Sequence, residues 1–281
     1  MEKVGILGPR GTHSEEAVIR FNEILSAQRE VVIYTGIDEI FSAVESKKLD
    51  AGFVPVENSL EGSVNITLDT LARSDSLTVA REFVWTVHNH LMANVDVEKD
   101  DVKKIFSHAQ PISQCRNFLR ENFPTAEIVI TASTARAAEI VASSSISDGY
   151  AAICSRRGGL MNGLKLIAED IQDNTANRTR FFEIQRRRES YMPSGDKVLV
   201  VCQIDGSRAG VLYSVLKEFA FRHINMTRIE SRPARTELGE YIFFFDLENN
   251  VERRTLNEAI VGVQRKSIWL RNLGTFPVIS C

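Results

Sequence analysis

Apolar residues recur with two different spacings along the first two thirds of the chain. Short apolar runs at residues 4–7, 31–34 and 51–56 predict buried strands. Apolar residues at helical spacing follow the first two runs and predict helices, the second of them at residues 37–46. Because strands and helices alternate, we predict an α/β fold whose ligands bind in the loops that follow the strands.

Two longer extended segments, at residues 77–93 and 164–171, enclose a middle block in which strands and helices alternate again. Two extended segments that connect the outer part of the chain to this middle block predict two lobes with a cleft between them. The first lobe is predicted at about residues 1–76 and 172–185, and the second at about residues 77–171.

The pattern changes after a polar segment that contains Pro193 and Gly195, and residues 186–196 are predicted to form a linker. Beyond it, the predicted order is strand, helix, strand, strand, helix and strand. This βαββαβ order is typical of a ferredoxin-like domain. We therefore predict one region at residues 1–185 and a separate domain at residues 197–281.

Composition and charge exclude several classes of protein. Of the 281 residues, 43% are hydrophobic and 25% are charged, which is ordinary for a soluble globular protein. A formal net charge of −3 gives no electrostatic reason to expect nucleic acid or an anionic membrane as a partner. No apolar run approaches the roughly 18 residues that a membrane span needs.

The cysteines and the N-terminal residues indicate a reducing cytoplasm. The four cysteines show no CxxC spacing and no histidine cluster beside them, so neither a disulfide framework nor a zinc site is predicted. The first residues run directly into a predicted strand, and we expect no signal peptide. We expect no metal and no other cofactor.

The segment from Asn177 to Phe181 is the most distinctive polar feature. Thr179, Arg180 and Phe181 set a hydroxyl, a guanidinium and an aromatic ring side by side, and the Asn177 amide lies two residues before Thr179. A hydroxyl beside a fixed cation suits an anionic substrate that must bind or lose a hydroxyl group. A loop arginine in a salt bridge explains the same triplet.

Two further loops follow predicted strands. The loop with Gly11 and Thr12 precedes a helix, where backbone N–H groups attract anions, although a capped turn explains it as well. It lacks the GxGxxG pattern and the Walker lysine, which disfavours a dinucleotide oxidoreductase. The loop with Glu57, Asn58 and Ser59 either caps the next helix or presents polar groups to a ligand.

Taken together, these motifs resemble those of prephenate dehydratases with a C-terminal ACT regulatory domain, over nearly the whole chain. The matching strings, in chain order, are Gly8-Pro9-Arg10-Gly11-Thr12, Pro55-Val56-Glu57-Asn58-Ser59-Leu60-Glu61-Gly62, Ser107-His108, Gln114-Cys115-Arg116, Ile171-Gln172-Asp173, Asn177-Arg178-Thr179-Arg180-Phe181 and Glu230-Ser231-Arg232-Pro233. The resemblance implies a catalytic region like a type II periplasmic binding protein at residues 1–185, followed by the ACT domain.

The resemblance also implies a reaction, in which prephenate becomes phenylpyruvate, carbon dioxide and water during phenylalanine biosynthesis. Thr179 matches the threonine that is essential in the family. The other predicted substrate-binding residues lie in the motifs or just before a predicted helix: Arg180, Phe181, Asn177, Gly11, Thr12, Glu57, Asn58, Ser59 and Ser133.

Prephenate is a dianion that carries a ring hydroxyl, and this chemistry suggests roles for the residues. We expect Arg180 to hold one carboxylate bidentately, and N–H groups near Thr12 and Ser59 to hold the other. Phe181 would exclude water near the ring. Thr179 would donate a hydrogen bond to the departing oxygen in a dry cleft.

The ACT resemblance implies feedback inhibition by phenylalanine and a homodimer or tetramer joined through these domains. The predicted effector-binding residues are Gly210, Val211, Leu212, Asn225, Glu230, Ser231, Arg232 and Pro233. Val211 and Ala209 depart from the usual effector motif, and His13 replaces a common Phe. Two alternatives stay open: the same elimination on arogenate, and a non-catalytic sensor of amino acids or organic anions.

Overall fold

The alternating pattern folds into three β-sheets in a computed structural model, which describes residues 1–187, 194–237 and 239–281. The predicted linker lies largely outside the described residues. No helix within those ranges is long and apolar enough to cross a membrane.

The elements are numbered in chain order. The strands are β1 (Glu2–Leu7), β2 (Arg29–Tyr34), β3 (Ala51–Asn58), β4 (Gly62–Ser63), β5 (Leu77–Thr86), β6 (His90–Ala93), β7 (Lys104–Ser107), β8 (Glu127–Ile130), β9 (Tyr150–Cys154), β10 (Lys165–Ala168), β11 (Arg178–Arg186), β12 (Lys197–Ile204), β13 (Met226–Pro233), β14 (Tyr241–Glu248), β15 (Trp269–Phe276) and β16 (Val278–Ser280). The helices are α1 (His13–Ile24), α2 (Ile37–Glu45), α3 (Asn65–Arg73), α4 (Ala109–Gln114), α5 (Arg116–Asn122), α6 (Thr134–Ala142), α7 (Arg156–Met161), α8 (Val211–Ala220) and α9 (Arg253–Gln264).

The first sheet has the order β16-β5-β11-β3-β1-β2, with β4 paired to β3. Helix α1 covers one face, where Phe21 packs on Phe53 and Phe83. Helices α2 and α3 cover the other face, where Phe182 is fully buried. We call this sheet with α1–α3 the first lobe.

The second sheet has the order β10-β6-β9-β7-β8. Alternate residues of its strands point to opposite faces, as the pleat requires. Leu91 therefore packs towards α4 and α5, while Met92 packs towards α6. We call this sheet with α4–α7 the second lobe.

The third sheet has the order β13-β14-β12-β15, and α8 and α9 cover one of its faces. The element order is the βαββαβ predicted for this part of the chain. The opposite face carries Leu199, Val201 and Phe244, which share one core with Phe182 of the first lobe. The third sheet is therefore packed directly on the first lobe.

Two strands lie in a different unit from the one predicted. The second lobe was expected to begin at about residue 77, but β5 is hydrogen-bonded to β11 of the first sheet. Its apolar residues suit burial in either lobe, so composition alone did not locate the crossover. Strand β16, at the end of the chain, pairs in parallel with β5 rather than with the third sheet.

Candidate active site between the two lobes

Two crossover segments connect the lobes and are hydrogen-bonded to each other. Val87 N donates to Asn177 O over 2.9 Å, and Ile171 N donates to Asn89 O over 2.9 Å. The Gln172 side chain also accepts from Asn89 N at 2.9 Å. The segments after β5 and before β11 are thus fixed side by side, at the edge where the cleft was predicted.

A buried amide network lies where these crossovers meet the end of β3. Asn58 Nδ2 donates to Asn177 Oδ1 over 2.8 Å and to Thr179 Oγ1 over 3.0 Å. Asn177 Nδ2 in turn donates to Gln114 Oε1 over 2.9 Å. Because Gln114 ends α4 of the second lobe, this network joins both lobes around the Thr179 hydroxyl.

The Gly11 loop of the first lobe contacts the second lobe directly. Gly11 O accepts from Ser155 Oγ of the second lobe over 3.0 Å, and a Cβ on Gly11 would lie 3.7 Å from Ala135 Cβ, in the first turn of α6. The N-termini of α1 and α6 therefore approach each other here. Thr12 Oγ1 is buried and has no hydrogen-bond partner within the described residues, so it is available to a ligand.

Histidines flank the crossovers. Burial lowers the pKa of His13, in the first turn of α1, to about 4, and the Asn89 side chain opposes this shift only in part. Burial also lowers the pKa of His90. His88 stacks on His90 and contacts Asp170 through Nδ1, with 2.6 Å between Nδ1 and Oδ1. His13 is thus neutral near physiological pH.

Arg180 does not face the same side as Thr179. Neighbouring residues of a strand point to opposite faces, and Arg180 contacts Glu57, Glu82 and Asp246 on the face that carries the third sheet. Burial disfavours its charge, but Asp246 and Glu82 outweigh this and raise the pKa of the guanidinium above its ordinary value. This geometry contradicts the prediction that Arg180 holds a substrate carboxylate.

Phe181 and Glu57 also differ from their predicted roles. Phe181 is 2% exposed and stacks on Phe53, 4.6 Å between ring centroids, in the core under α1. Glu57 pairs with Arg180 at 2.9 Å and with Arg228 of the third sheet at 3.2 Å. Neither side chain is directed into the interlobe site, because both already have partners elsewhere.

The two predicted serines hold the loops of the site in place. Ser59 Oγ donates to Ala176 O and accepts from Arg178 N, both at 2.9 Å, so it anchors the segment before β11. No helix begins at Ser59, and this removes the N-terminal anion site expected there. Ser133 caps α6 by accepting from Arg136 N at 3.0 Å, which leaves its hydroxyl proton free to be donated.

The predicted effector residues fall into two groups. Gly210 precedes α8 with φ at +79°, and Val211 and Leu212 pack partly against the core of the third sheet. Asn225, Ser231 and Pro233 are exposed. This group lies on the surface of the helix-covered side.

The second group faces the first lobe instead. Glu230 and Arg232 pair with Phe244 and Ile242 of β14, so their side chains share the face that packs on the first lobe. Glu230 accepts from Ser63 Oγ at 3.0 Å, and Arg232 Nε donates to Asp69 Oδ1 at 3.0 Å. These contacts contradict an effector-binding role for both side chains.

Sequence reasoning did not assign Asn89 or Gln114 to the site. Gln114 lies in one of the strings that match the family, but its contact with Asn177 joins the two lobes. No pattern in the sequence near Gln114 predicts that contact. The polar triplet His88-Asn89-His90 separates the apolar residues of β5 from those of β6, and that separation was a usable sign of a crossover. A half-buried hydroxyl, held by an amide network between two lobes, defines the class: a two-lobed α/β protein with an interlobe site for a polar ligand.

Comparisons with known proteins narrow this class. The family model of prephenate dehydratase matches residues 4–189. The prephenate dehydratase of Methanocaldococcus jannaschii is 36% identical over 271 residues, which cover 96% of each chain. This chain therefore belongs to the prephenate dehydratase family.

Solved structures agree with that assignment at the level of the whole chain. The prephenate dehydratase of Arthrobacter aurescens, in complex with L-Phe, superimposes with a TM-score of 0.87 and 33% identity, over 98% of this chain and 90% of that one. GqqA, described as a novel type of quorum-quenching acylase, gives a TM-score of 0.85 at 23% identity, over 99% and 98% of the two chains. At that identity the second match concerns the fold alone.

Proposed function

We propose that this protein is a prephenate dehydratase, which converts prephenate to phenylpyruvate, carbon dioxide and water in phenylalanine biosynthesis. The observation that carries the proposal is the family match over residues 4–189, which contains Thr179 and the amides around it. The elimination breaks the bond to the ring carboxylate, and its electron pair enters the ring. Carbon dioxide departs, the ring hydroxyl leaves as water after it takes up one proton that comes ultimately from solvent, and the new aromatic ring drives the reaction.

Thr179 is the proposed donor to the departing oxygen. Asn58 Nδ2 donates to Thr179 Oγ1, so the hydroxyl proton is directed away from Asn58 and is free for the substrate. A threonine hydroxyl is a weak acid, and its contribution is a fixed hydrogen bond that stabilises developing charge in a water-poor cleft. Asn177 holds Asn58 and Gln114 around it.

The substrate carboxylates require donors other than Arg180. We propose that one lies at the N-terminus of α1, where Thr12 Oγ1 is buried and unpartnered within the described part of the chain. Ser133 at the start of α6 supplies a second hydroxyl, because its oxygen already accepts from the helix while its proton is free. Gly11 permits its loop to approach α7 closely, since a Cβ there would lie 3.0 Å from Gly158 Cα.

We further propose the domain division implied by the resemblance: a periplasmic-binding-protein-like catalytic region at residues 1–185, a linker at 186–196 and an ACT domain at 197–281. Phenylalanine would bind near Gly210–Leu212, Asn225, Ser231 and Pro233. Strand β13 is at the edge of the third sheet and has Ile229 46% exposed, which supports a homodimer or tetramer formed there.

The direct test is turnover of purified protein with prephenate and, separately, with arogenate, each with and without phenylalanine. We expect phenylpyruvate from prephenate and inhibition by phenylalanine. Faster formation of phenylalanine from arogenate would reassign the substrate. Absence of turnover with both substrates, together with ligand-induced thermal stabilisation, would favour the sensor alternative.

A further inference from the structure

Arg180 belongs to a buried ion cluster that spans two domains. The cluster contains the following side chains, all within 3.2 Å of a partner of opposite charge: Arg180, Glu57, Glu82, Asp246, Lys197 and Arg228. Glu82 and Asp246 have only 1% of their side-chain surface exposed. Arg180, Glu57 and Glu82 come from the first sheet, and the other three come from the third.

This cluster is connected to the candidate active site by adjacent residues on two paired strands. Glu57 precedes Asn58 on β3, and Arg180 follows Thr179 on β11. The strands pair Thr179 with Asn58 and Arg180 with Glu57. The cluster therefore lies directly behind the Asn58–Thr179 hydrogen bond, on the other face of the sheet.

A β-bulge lies at the same place. The register shifts after Arg180, because Phe181 pairs with Pro55 and leaves Val56 as an extra residue on β3. Bulges redirect the side chains that follow them and interrupt the regular ladder. The backbone ladder therefore holds Asn58 and Thr179 less firmly than it would in two strands without a bulge. Side-chain contacts such as the Arg180 ion pairs then have a larger effect on where these two residues lie.

We propose that Arg180 is a positioning residue, held by Asp246 of the third sheet, and that this cross-domain ion pair fixes the bulged strands so that the Thr179 hydroxyl points into the cleft. The proposal rests on the proposed function and deepens it. A buried ion pair adds little net stability, because the cost of desolvation offsets the attraction between the charges.

A second ion pair across the same boundary provides a matched control. Asp69 of α3 is also buried and is bound by Arg232 and Arg235 of the third domain. It does not contact β3 or β11 through these arginines. Asp69→Asn and Asp246→Asn therefore each remove one buried carboxylate charge from the same domain boundary. Asp246 is linked to Thr179 through Arg180, whereas Asp69 has no such link.

The test compares Asp246→Asn, Asp69→Asn and the native chain in steady-state kinetics with prephenate. We expect Asp246→Asn to lower kcat at least about tenfold with KM changed less than about twofold, because the lost interaction acts on the reacting geometry. Asp69→Asn should keep kcat within about twofold of native. A rise in KM with unchanged kcat in Asp246→Asn, or equal kcat losses in both variants, would overturn the proposal.

A double-mutant cycle tests whether Arg180 acts through Asp246. Arg180→Lys keeps the charge but loses the planar guanidinium that reaches three carboxylates at once. If the two residues act together, Arg180→Lys combined with Asp246→Asn should be no slower than the slower single variant, within about twofold. Multiplicative losses in the double variant would refute the coupling.

Hydrogen exchange supplies a readout that does not depend on turnover. Amides in peptides covering residues 51–60 and 174–187 should exchange at least about tenfold faster in Asp246→Asn than in Asp69→Asn. Unchanged exchange there would contradict the positioning role. If the native chain fails to consume prephenate, the proposed function fails, and the exchange comparison alone decides the structural part of the inference.

Discussion

The Asn58 side chain donates a hydrogen bond to Thr179 Oγ1 over 3.0 Å, across the paired strands β3 and β11. Asn58 is itself fixed, because its Oδ1 accepts from Leu60 N at 3.0 Å and from Glu61 N at 3.2 Å. The direction of the Thr179 hydroxyl proton is therefore set before a substrate arrives. Preorganised donors of this type act strongly because they need no reorientation during the reaction.

Replacement of Thr179 by valine should reduce kcat about 10²–10³-fold, the range typical for loss of one preorganised hydrogen-bond donor. Valine keeps the shape and the branched Cβ, so we expect the thermal midpoint to change little. Phenylpyruvate formation and thermal unfolding measure the two effects. Thr179→Ser, which restores the hydroxyl, should recover most of the activity.

Thr70→Val is the control for this substitution. The Thr70 hydroxyl bonds to Ile66 O within helix α3, and Thr70 lies outside the candidate site. This variant should retain native kcat and KM. Near-native turnover in Thr179→Val would remove Thr179 from the mechanism.

Asn58→Asp tests the orientation of the hydroxyl separately from its presence. The new carboxylate still accepts from Leu60 N and Glu61 N, so the turn should persist. It has no proton to donate, however, and it draws the Thr179 proton towards itself and away from the substrate. We expect kcat to fall about tenfold to a thousandfold, as when one preorganised donor is lost.

Asn94→Asp provides the comparison for Asn58→Asp. Asn94 Nδ2 donates to Val141 O at 3.0 Å within the second lobe, away from Thr179. Its replacement should lower the thermal midpoint without a matching loss of kcat. Equal kcat losses in the two variants would mean that Asn58 only maintains the fold.

The sequence predicted one site for Thr12, Asn58, Asn177 and Thr179, and the structure joins the last three by hydrogen bonds. Each lies at the end of a strand or the start of a helix, and such ends meet at one edge of an α/β sheet. Each motif lies within a few residues of such an end, so the sequence near it was enough to predict where the motif would lie. The amides from the crossovers could not be assigned in the same way, since they depend on how the two lobes join.

The role of Arg180 was predicted incorrectly because Thr179, Arg180 and Phe181 were assumed to present their side chains to the same ligand. The period of two along a strand separates Arg180 from Thr179. Its partner Asp246 is 66 residues further along the chain and belongs to the third sheet. No local pattern identifies that partner, because the contact exists only when the third sheet packs on the first.

The buried His13 should make stability dependent on pH. Its pKa is about 4 in the folded protein, against an ordinary value of 6.5. Between these values the unfolded chain binds more protons, so the free energy of unfolding should fall as pH drops from about 6.5 to about 4, then level off with respect to His13. The shift corresponds to at most about 3 kcal/mol.

His13→Phe should remove most of that dependence, as measured by thermal midpoints at intervals from pH 4 to 7. His90 shifts in the same direction and should leave a smaller residual slope. His108 is exposed at the start of α4, and His108→Gln should keep the native profile. An unchanged slope in His13→Phe would show that His13 does not titrate as described.

Gly210→Ala should weaken inhibition by phenylalanine while it leaves basal kcat and KM near native. Gly210 has φ at +79° at the start of α8, a conformation that costs an L-residue about 1–2 kcal/mol. A Cβ there meets no atom within 4 Å, so the substitution acts on backbone conformation alone. We expect the half-inhibitory phenylalanine concentration to rise about tenfold if the bound state requires this conformation.

Gly163→Ala is matched to that change in the sign and size of φ and in the free space around the new Cβ. Gly163 has φ at +72°, and a Cβ there also meets no atom within 4 Å, but it lies in the second lobe before β10. The strain introduced is similar, so both variants should lose similar thermal stability, while Gly163→Ala should keep the native inhibition curve. If both variants shift the curve equally, the change in inhibition reflects lost stability and Gly210 does not belong to the effector site.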